Sequence, residues 1–178
     1  AWALLRALGV RRAGLWTLAL FAMSSPFLYR LLMVRTQGAA LLLIVMALYL
    51  LVTRRERWLL PLAFAFAWLY NGFGLILGIV ALYAAAVFIV ERRLAWQAPA
   101  YTALGLILGL VINPYFPNNI TFIVEHLGAK IDFENGVRVG SEWYPYSTSA
   151  LLINTGGALA VLTLGVLRGS FGKHKRDT

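Results

Sequence analysis

Cysteine is absent from the 178 residues, which excludes disulfides, thiolate nucleophiles and cysteine metal sites. Acids are scarce, seven against 16 lysines and arginines, and histidine occurs only twice. His126 stands beside Glu125 with no second histidine nearby, and His174 falls in a basic tail, so no resident metal is expected. Charge of either sign makes up 13% of the chain, where a water-soluble domain carries about a quarter. No P-loop, GxGxxG or HExxH motif occurs, and no cofactor is evident. No stripe of Lys and Arg interleaves with aromatics, so the net charge of +9 does not point to nucleic acid. In a chain of this composition the basic residues instead mark loop ends that meet anionic lipid.

What is there is apolar, 61% of residues, gathered in long runs such as "GAALLLIVMALYLLV". These runs have no polar face at helical period, as a soluble bundle would require. They read as membrane-crossing helices, each needing about 20 apolar residues. The expected fold is all-α: a polytopic transmembrane bundle of about six spans, at 13–29, 38–53, 58–70, 73–90, 95–113 and 148–167. The third is short and is separated from the fourth only by Asn71-Gly72, which suggests a tilted hairpin or a partly re-entrant pair. Pro26, Pro61 and Pro99 fall in or at the ends of spans, where kinks or helix starts are tolerated. Gly74 with Gly78, and Gly105 with Gly109, have the GxxxG spacing of close helix packing.

The basic residues orient this map. With the 168–178 tail cytoplasmic, alternation puts Arg6, Arg11, Arg12, Arg54, Arg55, Arg57, Arg92, Arg93, Arg168, Lys173, Lys175 and Arg176 inside, 12 of 16. The positive-inside rule favours that orientation, and Trp58 and Trp96 then flank the inner clusters. The expected location is therefore the inner (plasma) membrane, multi-pass, with a cytoplasmic C-terminus. The chain opens on Ala1 without a signal-peptide layout, and it is expected to be one membrane domain from a longer protein.

One large outer loop, 114–147, remains, holding Glu125, Asp132, Glu134 and Glu142, four of the seven acids. Asn118 or Asn119 is placed to cap a helix. Ile120, Ile123, Val124 and Leu127 form one apolar stripe, and Gly128 is a stop, which predicts a short amphipathic helix on the membrane surface. "KIDFENGVRV" suggests a small hairpin around Glu134-Asn135-Gly136, pairing Phe133 with Val137 and Ile131 with Val139. Trp143, Tyr144 and Tyr146 suit the outer interface as an aromatic belt, while Glu142 among them calls for a partner or a task. The pattern Asn119-Ile120-Thr121 matches a glycosylation acceptor, a match common by chance.

Arg30 and Arg35 break the charge rule at the outer end of the first span. They either snorkel to lipid phosphates or bind an anionic ligand such as a lipid-linked phosphate. Five residues of helix turn through about 500°, so the two diverge by roughly 140° unless the helix breaks between them. One of them could then pair with Glu142.

"NPYFPNN" followed by "EWYPY" ahead of a final span, with "PFLYRLLMVR" before Leu-rich spans, resembles a group of uncharacterised bacterial polytopic membrane proteins. That group is distantly similar to the GT-C membrane glycosyltransferases, which use polyprenyl-phosphate-linked sugars or oligosaccharides as donors. The resemblance covers about 20–168 and implies architecture and substrate class. The acidic residue of the GT-C first outer loop has no counterpart here, so the resemblance transfers no catalytic residue. Any divalent metal would be held by residues outside this segment. On this reading Arg30 or Arg35 would meet the phosphate and Glu142 would orient a hydroxyl. Trp143, Tyr144 and Tyr146 would meet the sugar, with His126 on the nearby surface helix. The other reading is a transporter, flippase or scaffold, and a transporter predicts polar groups near mid-membrane, such as Asn154, Thr155 and Thr163. Membrane lipids are the expected partners of either.

Overall fold

The computed structural model describes residues 1–33, 35–131 and 147–174, of which 25, 26, 30, 126, 127, 129–131 and 166–174 are described by backbone alone. The described chain is helical, with α1 Trp2–Ala7, α2 Ala13–Ala22, α3 Ser25–Leu32, α4 Thr36–Val52, α5 Leu59–Leu69, α6 Gly74–Glu91, α7 Gln97–Val111, α8 Asn118–Ile131 and α9 Thr148–His174. A single 3-10 turn, Glu56–Trp58, leads into α5. Each predicted proline sits in the first turn of its helix: Pro26 in α3, Pro61 in α5 and Pro99 in α7. There the missing N–H would have no intrahelical partner anyway.

The chain divides into two compact units. One contains α1 and α4 to α8, the other α2, α3 and α9. The first unit has a core made by α4, α5, α6 and α7. Leu51, Leu59, Phe66, Ile76, Val80 and Thr102 are its largest fully buried side chains. Phe66 meets Tyr70 edge-on with ring centroids 6.0 Å apart. The closest approach is between α5 and α7, and glycine makes it possible. A Cβ on Gly105 would lie 2.2 Å from the Leu60 carbonyl oxygen and 2.9 Å from the Ala63 Cβ. One on Gly109 would lie 2.8 Å from both the Ala67 Cβ and the Phe64 carbonyl oxygen. The Gly105/Gly109 spacing thus serves close helix packing. The identical spacing at Gly74 and Gly78 does not, because nothing lies within 4 Å of a Cβ at either.

The expectation of about six spans is overturned. Among the described residues, two helices are long and apolar enough to cross a membrane: α6 and the Thr148–Gly165 part of α9. The predicted 13–29 span is two helices, broken at Met23 and Ser24, where the Ser24 hydroxyl accepts a bond from the Phe27 amide at 3.3 Å. The predicted 58–70 span is an 11-residue helix, about 16 Å long, roughly half the hydrocarbon thickness. Its apolarity has another cause: Leu59, Leu62, Ala63, Phe66 and Ala67 are buried in protein. The predicted 38–53 and 95–113 spans are helices of 17 and 15 residues, each with one face in the same core. Apolar residues mark both core and lipid-facing surface, and composition cannot separate them.

In α6, by contrast, 17% of the residues are buried, and Leu75, Leu82, Phe88, Ile89 and Val90 stand exposed. In the second unit, the Thr148–Gly165 stretch has none buried. Ser147 starts α9 by accepting a bond from the Ala150 amide to its hydroxyl, 3.3 Å, as an N-cap does. Along this helix the Thr155 and Thr163 hydroxyls donate to the Leu151 and Leu159 carbonyls, at 2.7 and 2.8 Å. Their polarity is thereby absorbed by the helix's own backbone.

Two smaller expectations also need correction. Helix α8 does not stop at Gly128 but runs through it to Ile131. A mid-helix glycine costs only about 0.5–1 kcal/mol relative to alanine, and the Ala129 and Lys130 that follow favour helix. Ile131, which the hairpin reading placed in a strand, is therefore helical; the rest of that predicted hairpin lies outside the described residues.

Candidate functional site

Polar chemistry in the first unit collects where α4 and α6 end. Helix α4 closes with a left-handed residue, the Arg54 and Arg55 amides donating to the Leu51 and Leu50 carbonyls at 3.1 and 2.8 Å. This is the Schellman arrangement, in which the left-handed position usually belongs to glycine. Arg54 occupies it instead, at φ 57°, and Arg92 takes the same conformation, φ 53°, at the end of α6. Left-handed backbone costs an L-residue with a Cβ roughly 1–2 kcal/mol.

These two turns bring distant residues together. Arg54 pairs with Glu91, and Arg93 Nε lies 3.5 Å from the other Glu91 oxygen. The Arg54 guanidinium lies 5.7 Å from the centre of the Tyr83 ring. Tyr83 in turn donates its hydroxyl to Glu56 Oε1 at 3.4 Å, and Glu56 is buried in the 3-10 turn. The hydrogen bond to Glu91 holds the Arg54 guanidinium pKa above the ordinary arginine value, more than desolvation lowers it. The cluster holds Arg54, Arg55, Arg57, Arg92 and Arg93 against Glu56 and Glu91, a net surplus of three positive charges. Trp58 and Trp96, 54% and 61% exposed, flank it. Its chemistry suits holding anions. Both carboxylates are engaged, one by arginines and one by a tyrosine.

Arg30 lies on α3 and Arg35 just before α4, so the helix does break between them. Arg35 is extended, with φ −135° and ψ 152°, and its side chain is exposed. Arg30 belongs to the second unit and Arg35 to the first, and the Arg30 side chain is outside the described residues. His126 is on α8, described by backbone alone, and the predicted surface helix exposes Ile120, Phe122 and Val124. Glu142, Trp143, Tyr144 and Tyr146 lie outside the described residues. Asn119 does not cap α8 with its amide; its Nδ2 donates back to the Leu110 carbonyl at 2.9 Å, satisfying one of the free carbonyls at the end of α7. Among the described residues no three of His, Asp and Glu gather as metal ligands.

Sequence reading found the arginines and tryptophans of the cluster as interfacial markers but missed its acids. The signal was present: Glu56 and Glu91 are each embedded in a basic run, "TRRER" and "ERR". No family model, curated protein or solved structure matches this chain.

Proposed function

We propose that this chain is part of an integral membrane protein, held in the bilayer by α6 and by α9 from Thr148 to Gly165. The observation that carries this reading is the state of α6: a helix apolar from Gly74 to Val90 except for Tyr83, with 17% of its residues buried by protein. The core helix of a soluble protein can be equally apolar, but it is mostly covered. In water an uncovered apolar face of this size is a liability, and lipid removes the cost. The plasma membrane is the proposed location, with the C-terminus on the cytoplasmic side, as the basic 168–178 tail favours.

The proposed activity is GT-C-like glycosyl transfer from a polyprenyl-phosphate-linked sugar at the extracytoplasmic face. Its support is the sequence resemblance and the gathering of aromatics and Glu142 in one polar segment before α9. Such a reaction needs a cation for the departing phosphate, which Arg30 or Arg35 would supply. The test is transfer from a polyprenyl-phosphate sugar by the full-length protein in liposomes. Arg30→Ala and Glu142→Ala should each abolish transfer while expression persists, and full activity in both would refute these roles.

A non-enzymatic role as a scaffold has one observation in its favour. The two described acids that meet other side chains, Glu56 and Glu91, are both engaged in tying the α4–α5 connection to α6. A transporter is less well supported, because Thr155 and Thr163 spend their hydroxyls on their own helix.

A further inference from the structure

The cluster at the ends of α4 and α6 sorts its arginines into two kinds. Arg54 and Arg93 are held by Glu91. Arg55, Arg57 and Arg92 are exposed and, among the described residues, make no side-chain hydrogen bond or ion pair. Arg92 follows directly on the last residue of α6, the helix whose apolar surface is left uncovered. Arg57 belongs to the 3-10 turn that packs against α7, beside exposed Trp58, and Trp96 immediately precedes α7. Three unpaired guanidiniums thus stand at the level where an apolar helix ends, next to two exposed indoles.

We infer that Arg55, Arg57 and Arg92 form a docking face for anionic phospholipid headgroups, with Trp58 and Trp96 seated among the headgroups beside them. The inference rests on the membrane reading above. Guanidinium matches a phosphodiester with two parallel hydrogen bonds, and indoles prefer the depth at which headgroups lie. The Arg54–Glu91–Arg93 group has a separate task. It ties the α4–α5 connection to the end of α6, which brings the two arginine runs together at that end. Each arginine near an anionic surface strengthens binding by about fivefold, so the three together are worth on the order of 100-fold.

The test uses the full chain in neutral detergent micelles titrated with phosphatidylglycerol, phosphatidylcholine or inorganic phosphate, with bound lipid counted by native mass spectrometry. Phosphatidylglycerol should bind in preference to phosphatidylcholine, and more weakly as salt rises. The triple variant R55Q/R57Q/R92Q should lose roughly 100-fold in phosphatidylglycerol affinity with an unchanged melting temperature. Equal binding of the two lipids, undiminished binding by the triple variant, or displacement of phosphatidylglycerol by equimolar phosphate would overturn the inference. Alkaline carbonate extraction of the same variants from cell membranes separates the two readings. Release of the unaltered chain refutes membrane integration itself, whereas retention with no lipid preference refutes only the headgroup face.

Discussion

Replacing Gly105 with alanine should push α5 and α7 apart. The new Cβ would sit 2.2 Å from the Leu60 carbonyl oxygen and 2.9 Å from the Ala63 Cβ. Carbon contacts are optimal at about 3.5–4.0 Å, so the helices must separate by roughly 1 Å. Neither neighbour can yield as the tip of a flexible side chain could, since one is backbone and the other a Cβ fixed to it. Overpacking of this kind costs about 1–3 kcal/mol, offset by about 0.5–1 kcal/mol from removing a glycine inside a helix. The net expectation is a loss of about 1–2 kcal/mol, or roughly 2–8 °C in melting temperature for a chain of this size. Gly78→Ala is the matched control, because it has the same neighbour spacing in the sequence and nothing within 4 Å of its Cβ. It should melt at or slightly above the unaltered protein. Thermal unfolding in detergent, followed by circular dichroism, reads both. A Gly105→Ala protein as stable as the original, or a Gly78→Ala protein equally damaged, would refute the claim that this seam is set by backbone contact.

Phe66→Ala removes a fully buried ring from the same core and should cost about 3–5 kcal/mol by the same melting assay. Arg54 should respond in two directions. Arg54→Gly relieves a left-handed backbone, worth roughly 1–2 kcal/mol, and loses an exposed ion pair worth about 0–1 kcal/mol, so it should be neutral or stabilising. Arg54→Gln keeps the backbone cost, loses the pair and should melt below both. Thr155→Val with Thr163→Val should leave carbonate-resistant membrane retention intact, since each hydroxyl serves only its own helix. The absence of cysteine allows single-cysteine labelling of Thr178→Cys, which should react with an impermeant maleimide from the cytoplasmic side alone.

By itself the sequence determined local matters. Runs of Leu, Ala, Val and Ile make helices, prolines fix where α3, α5 and α7 begin, and Asn71-Gly72 separates α5 from α6. It also marked the arginine clusters and their flanking tryptophans. Tertiary structure decided which apolar surface is core and which is left uncovered. Phe66 and Leu82 look alike in a hydropathy profile, yet one is fully buried and the other 73% exposed, because α5 is enclosed by its neighbours while α6 turns one side outward. It likewise decided between two identical GxxxG spacings, using Gly105 and Gly109 for contact and leaving Gly74 and Gly78 open. The pairing of Arg54 with Glu91 spans 37 residues, beyond the reach of any local pattern. Local chemistry is written in neighbours along the chain, but burial and pairing depend on neighbours in space, and those exist only once the helices have packed.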